Sequence, residues 1–129
     1  MIINRQKQLL TEMDKKKVEM AFVISPIHIA YLTGFYSDPH ERFFVLLFDA
    51  KLAKTYLFLP ELDYDKSKEV AQVDEIIPIK DTDDGFAIVK KTIKSDVSTI
   101  AIEKNIVTLL EYEKLSHIFP NSSFVQFED

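Results

Sequence analysis

The chain has 129 residues, of which 47% are hydrophobic and 29% charged, the balance of one globular domain with a core of its own. Its formal net charge is −5, and its Lys and Arg are scattered, which excludes the basic footprint of a nucleic-acid-binding face. With no Cys and only two Gly, it excludes a disulfide framework, a thiolate metal site and a Gly-rich nucleotide loop.

The first residues, Met1 to Arg5, lack the charged-then-apolar order of a signal sequence. No apolar run approaches the roughly 20 residues of a membrane span. The expectation is a cytoplasmic protein with neither a membrane nor a nucleic acid as partner.

Residues 2–17 predict a helix, with Ile2, Leu9 and Met13 on one face and Lys15, Lys16 and Lys17 at its negative end. Met20 to Ile24 reads as a short buried strand. Ser25 and Pro26 then start a helix, Ser as cap and Pro at the first helical position. This helix carries Ile27, Ala30 and Tyr31 and stops at Gly34. A polar loop, residues 35–42, leads into residues 43–48, a strand apolar on both faces and so one that belongs inside a covered sheet. Residues 49–53 make a hairpin loop without Gly. The returning strand, 55–59, ends at Pro60.

A helix over 61–71 and a strand over 75–79 follow. After the loop Asp81-Thr82-Asp83-Asp84-Gly85 comes a helix over 86–94 with Phe86, Val89 and Ile93 on one side. Residues 99–103 form a strand. Thr108 and Glu111 have the spacing of a capping box for a helix carrying Leu115, Ile118 and Phe119 before Pro120. Residues 124–127 are the last strand. Strands and helices thus alternate after one hairpin, which predicts a three-layer α/β/α sandwich around a mixed, mostly parallel sheet of five to six strands.

The usual catalytic constellations are missing. His28, His40 and His117 fall in three different elements, and His40-Glu41 does not continue into a His-Glu-x-x-His pair. The stretch from Asp81 fails as a calcium loop: its Gly comes one residue early, and Thr92 stands where the closing Glu belongs. Ser25 sits between Ile24 and Pro26, which is not the geometry of a nucleophile elbow. The first strand-to-helix turn has no Gly and loses an amide to Pro26, so it makes a poor phosphate site.

One loop concentrates ion-pairing chemistry: Ser37-Asp38-Pro39-His40-Glu41-Arg42. Pro39 restricts Asp38 to extended geometry, Arg42 offers a bidentate grip on a carboxylate, and His40 has the chemistry to titrate near neutrality. On spacing alone two readings stand, an exposed loop in which Asp38 and Arg42 pair with each other, which polar loops favour, and a functional loop.

Several stretches resemble the creatinase/prolidase N-terminal domain family. Val23-Ile24-Ser25-Pro26 through Tyr31-Leu32-Thr33-Gly34-Phe35 is similar to its opening strand and helix. Ile100-Ala101-Ile102-Glu103, with Leu109, Tyr112-Glu113 and Leu115, resembles its late strand and helix, with Ala101 where Gly is often seen. The 37–42 loop resembles one in the bacterial Xaa-Pro dipeptidase branch.

The resemblance implies a sheet domain with a ribonuclease H-like motif. It also implies a chain that stops before the catalytic "pita-bread" domain, whose two Asp, one His and two Glu bind two divalent metals (Mn, Co or Zn). No residue here is expected to be catalytic or to bind a metal, and the fragment itself carries no cofactor. The domain would help form a homodimer, dock on its own C-terminal catalytic domain and narrow the partner subunit's active-site mouth, limiting substrates to Xaa-Pro dipeptides. Asp38, His40, Glu41 and Arg42 then become the expected substrate-access loop. The competing expectation is a stand-alone α/β module binding a partner or ligand near Tyr31, Phe35 and Tyr36, with Tyr31 itself placed in the core.

Overall fold

The computed structural model describes residues 1–94 and 96–127. In chain order the elements are α1 (Ile2–Lys15), β1 (Met20–Val23), α2 (Pro26–Thr33), β2 (Val45–Asp49) and β3 (Lys54–Pro60). A 3-10 turn (Glu61–Asp63) leads to α3 (Tyr64–Val70), β4 (Glu75–Ile79), α4 (Gly85–Thr92), β5 (Thr99–Ile102), α5 (Leu109–Ile118) and β6 (Ser123–Gln126).

The strands form one six-stranded sheet in the order β4-β3-β2-β1-β5-β6. Only β2 runs antiparallel to its neighbours, through the hairpin to β3 and its pairing with β1. The pairs β3–β4, β1–β5 and β5–β6 are parallel. The carboxyl ends of β1, β3, β4, β5 and β6 therefore share one edge of the sheet, with the start of β2.

Alternate strand residues feed two cores. Phe22, Leu47, Phe58, Ile100 and Ile102 face α4 and α5, meeting Phe86, Val89, Leu115 and Ile118. Ala21, Val23, Leu46, Phe48, Leu57 and Leu59 face α1, α2 and α3, meeting Met13, Ile29, Leu32 and Tyr64. This two-sided burial is why the central strands read as continuous apolar runs. The α/β/α sandwich and its mostly parallel sheet are as expected.

The caps are equally close to expectation. Ser25 Oγ accepts the His28 amide at the start of α2, and Gly34 closes that helix with φ 87°, a left-handed conformation open to Gly at no steric cost. Both halves of the Thr108–Glu111 capping box are made. The Gly-free hairpin is closed with Ala53 at φ 50° and the Leu52 amide on Asp49 Oδ1.

Three local expectations fail. Strand β2 begins at Val45, because Phe43 turns out of the ladder to pack edge-on against Phe86 and Phe58. The 61–71 helix splits into a 3-10 turn and α3, and no side-chain cap joins them. Tyr31 is not a core residue. It is 56% exposed, under the Arg5 guanidinium 4.2 Å from the ring centroid. Helix α2 is apolar nearly all round, so its pattern did not say which face turns inward; Ile29, Leu32 and Thr33 do.

Candidate functional site

In open α/β sheets, ligands gather where the strands' carboxyl ends meet loops. Here that edge carries a cleft of about 1170 Å³, floored by Phe22, Ile24, Ile79 and Phe86 and rimmed by residues 38–44, 79–86 and the start of α5. Among its charged lining, Asp38, Glu41, Asp81, Asp83, Asp84 and Glu111 outnumber Arg42, Lys80 and Lys114.

The loop before β2 is one wall of this cleft. Its first base is tied by Ser37 Oγ donating to Asp63 Oδ2 at 2.7 Å. Its tip turns at His40, whose φ of 57° is left-handed, and closes with the Arg42 amide on the Pro39 carbonyl at 3.0 Å. Its second base is tied by Arg42 Nε donating to Asp81 Oδ1 at 3.0 Å, with side chains 44% and 72% exposed. Asp38, His40 and Glu41 are exposed between these anchors. The structure thus brings the four expected residues to one rim, but Asp38 is not Arg42's partner. The partner is Asp81, across the cleft on the segment joining β4 to α4.

That facing segment is itself tightly turned. Asp83 Oδ2 accepts the Lys80 amide at 2.8 Å, and Asp84 Oδ1 caps α4 through the Phe86 and Ala87 amides. These contacts give the acids of the failed calcium motif a role in shaping the backbone.

A second anchored turn lies on the same edge. Glu103, directly after β5, is only 3% exposed. Its Oε1 accepts the amides of Ile24 at 2.6 Å and Ser25 at 2.8 Å, and its Oε2 meets His28 Nδ1. One carboxylate thus binds the β1–α2 turn to the end of β5, where buried amides would otherwise lack acceptors. Sequence reasoning did not single out this role. Its signal was a lone acid closing the apolar run Ile100-Ala101-Ile102. His28 is therefore a partnered histidine, while His40 lies on the loop and His117 in the last turn of α5.

Among the described residues, no three or more His, Asp or Glu side chains converge to hold a metal ion. No described helix is long and apolar enough to cross a membrane. Of the aromatics of the competing reading, Phe35 is buried and Tyr36 is 60% exposed, and neither they nor Tyr31 line the cleft.

Residues 5–129 match the model of the creatinase/prolidase N-terminal domain. The chain is similar to the Xaa-Pro dipeptidase of Lactobacillus delbrueckii subsp. lactis, 37% identical over 110 residues, which is 83% of this chain and 30% of that protein. It is also similar to that of Lactobacillus helveticus, 34% identical over 109 residues, or 82% of this chain and 29% of that one. The chain thus spans about 30% of the length of the curated relatives it matches. Among solved structures, a proline dipeptidase from Streptococcus pneumoniae superposes with a TM-score of 0.88 at 30% identity, covering 94% of this chain and 89% of that one. The creatinase/prolidase N-terminal domain of an X-Pro dipeptidase from Streptococcus pyogenes also gives 0.88, at 26% identity, covering 96% and 99%.

Proposed function

Because the chain belongs to the creatinase/prolidase N-terminal domain family, we propose that it is the non-catalytic N-terminal domain of a cytoplasmic, proline-specific metallopeptidase, an Xaa-Pro dipeptidase. In this reading the domain assists dimer formation and restricts access to the active site. The observation that carries the reading is the 37–42 loop. It stands at the carboxyl edge of the sheet, is tied at both bases and presents Asp38, His40 and Glu41 to solvent.

Hydrolysis itself would belong to a catalytic domain outside this chain, with two divalent metal ions held by its own Asp, His and Glu residues. The residues described here do not fit such a centre, so no bond-breaking step is assigned to them. Their contribution is selection. Arg42 gives Nε to Asp81, and the terminal nitrogens of its planar guanidinium are suited to a dipeptide's free carboxylate. His40, at the turn's tip, would gate the approach.

The test is to express the gene's full reading frame and assay it with Mn, Co or Zn. It should cleave Xaa-Pro dipeptides, elute as a dimer and discriminate against longer peptides, while the 129-residue chain alone should be inactive. A metal-loaded full-length protein that leaves Xaa-Pro dipeptides intact would overturn the reading.

A further inference from the structure

The stretch Asp81-Thr82-Asp83-Asp84-Gly85 is neither a calcium loop nor part of the access loop, yet it touches that loop at two independent points. The first is the Arg42–Asp81 ion pair. The second is steric. A Cβ placed on Gly85 would lie 2.3 Å from Phe43 Cγ, 2.4 Å from Cδ1 and 2.7 Å from Cδ2, well inside any real carbon–carbon contact. The absence of a side chain at Gly85 is therefore what lets the Phe43 ring lie down against the start of α4. There the ring meets Phe86 edge-on, with centroids 5.0 Å apart, and Phe58 at 6.3 Å.

Phe43 directly follows Arg42 and precedes the strand. Where its ring sits fixes where the loop leaves the sheet. We propose that the β4–α4 segment is the positioning element of the access loop, with Gly85 supplying the seat for Phe43 and Asp81 holding Arg42. Gly85 and Asp81 are positioning residues and touch no substrate. This inference rests on the access-loop reading for its effect on substrate, but not for its effect on the loop's geometry.

The two contacts differ in kind. The Gly85 seat is a packing constraint, since a ring displaced from it would lose its contacts with Phe86 and Phe58. The Asp81 contact is an exposed ion pair, readily exchanged for another carboxylate. Asp81 holds Arg42 through Nε and so would orient its terminal nitrogens for a dipeptide carboxylate, and the segment would set both the place of the loop and the direction from which Arg42 meets substrate.

The experiment uses two readouts. In nitrogen-proton spectra of this chain, Gly85→Ala should move the amides of residues 38–42, and Asp81→Asn should move the Arg42 Nε–H signal while leaving the Phe43 amide in place. In the full-length enzyme, Gly85→Ala should change the Xaa-Pro dipeptide KM by on the order of tenfold, the scale of one weakened hydrogen bond between Arg42 and the substrate carboxylate, with kcat much less affected. The double variant Phe43→Leu/Gly85→Ala, in which a smaller side chain makes room, should restore much of the loss. Asp81→Asn, at an exposed position, tests the proposal should Gly85→Ala fail to fold.

Unmoved loop signals in the Asp81→Asn variant, or in a folded Gly85→Ala variant, would overturn the proposal. So would a Gly85→Ala enzyme that melts earlier but keeps its KM, if His40→Ala/Arg42→Ala does alter KM. If that double variant leaves dipeptide kinetics unchanged, the access reading fails, and the spectra alone decide the positioning claim.

Discussion

Two turns on the same edge of the sheet are held in opposite ways. The β1–α2 turn is fastened from within, by one buried carboxylate, Glu103, that takes two backbone amides and a histidine. The loop before β2 is fastened from outside, by Ser37–Asp63 and Arg42–Asp81 at its bases, with its tip in water. Buried anchors are expensive to remove because they leave amides without acceptors; exposed ones cost little. The first arrangement makes a fixed wall for the cleft, and the second a placed but adjustable rim.

The difference can be broken deliberately. The largest stability effect should come from Glu103→Ala, which strands the Ile24 and Ser25 amides and should cost about 3–5 kcal/mol. Glu103→Gln keeps an acceptor oxygen and should cost less. Urea titration measures both, and a Glu103→Ala variant as stable as the parent would erase the contrast. Next is Phe43→Ala, which removes a half-buried ring from beside Phe86 and should cost about 2 kcal/mol in the same titration. Phe43 ties the outer loop to the core on the α4 side, as the buried Phe35 and Phe44 do on the other face of the sheet.

Smaller still is Glu19→Gln, at the opposite edge of the sheet. The Ser98 backbone amide, with Lys51 beside it, holds the Glu19 carboxyl below its ordinary value. The stability it contributes is complete above the carboxyl's ordinary range of about 4.3 and is lost as pH falls through the lower, folded-state value. Melting temperatures of parent and variant should therefore differ at neutral pH and converge in acid; a gap that widens on acidification would contradict the assignment. The smallest stability change belongs to Asp81→Asn, at about 0–1 kcal/mol by thermal melting, since both partners are exposed. A cost as large as that of Glu103→Ala would mean that the outer loop is not loosely held after all.

Much of this layout was legible in the sequence because it rests on local chemistry. Ser25 with Pro26, Gly34, and Thr108 with Glu111 announce helix ends by rules that act within four residues. The uninterrupted apolar runs at 20–24 and 43–48 announced a sheet covered on both faces. What escaped was long-range pairing. Nothing in the local pattern says that Arg42 meets Asp81, 39 residues away, or that Glu103 reaches back 79 residues to Ile24. Nor does it say that Gly85 is bare so that Phe43 can lie against it. The four rim residues were legible as a set; their partners were a property of the fold.

The central claim, that residues 38–42 form a substrate-access loop, is tested most directly by Michaelis kinetics of the full-length protein carrying His40→Ala and Arg42→Ala together, with an Xaa-Pro dipeptide as substrate. The account predicts a changed KM or altered substrate inhibition in a protein that remains folded. Dipeptide kinetics indistinguishable from those of the unaltered protein would contradict it.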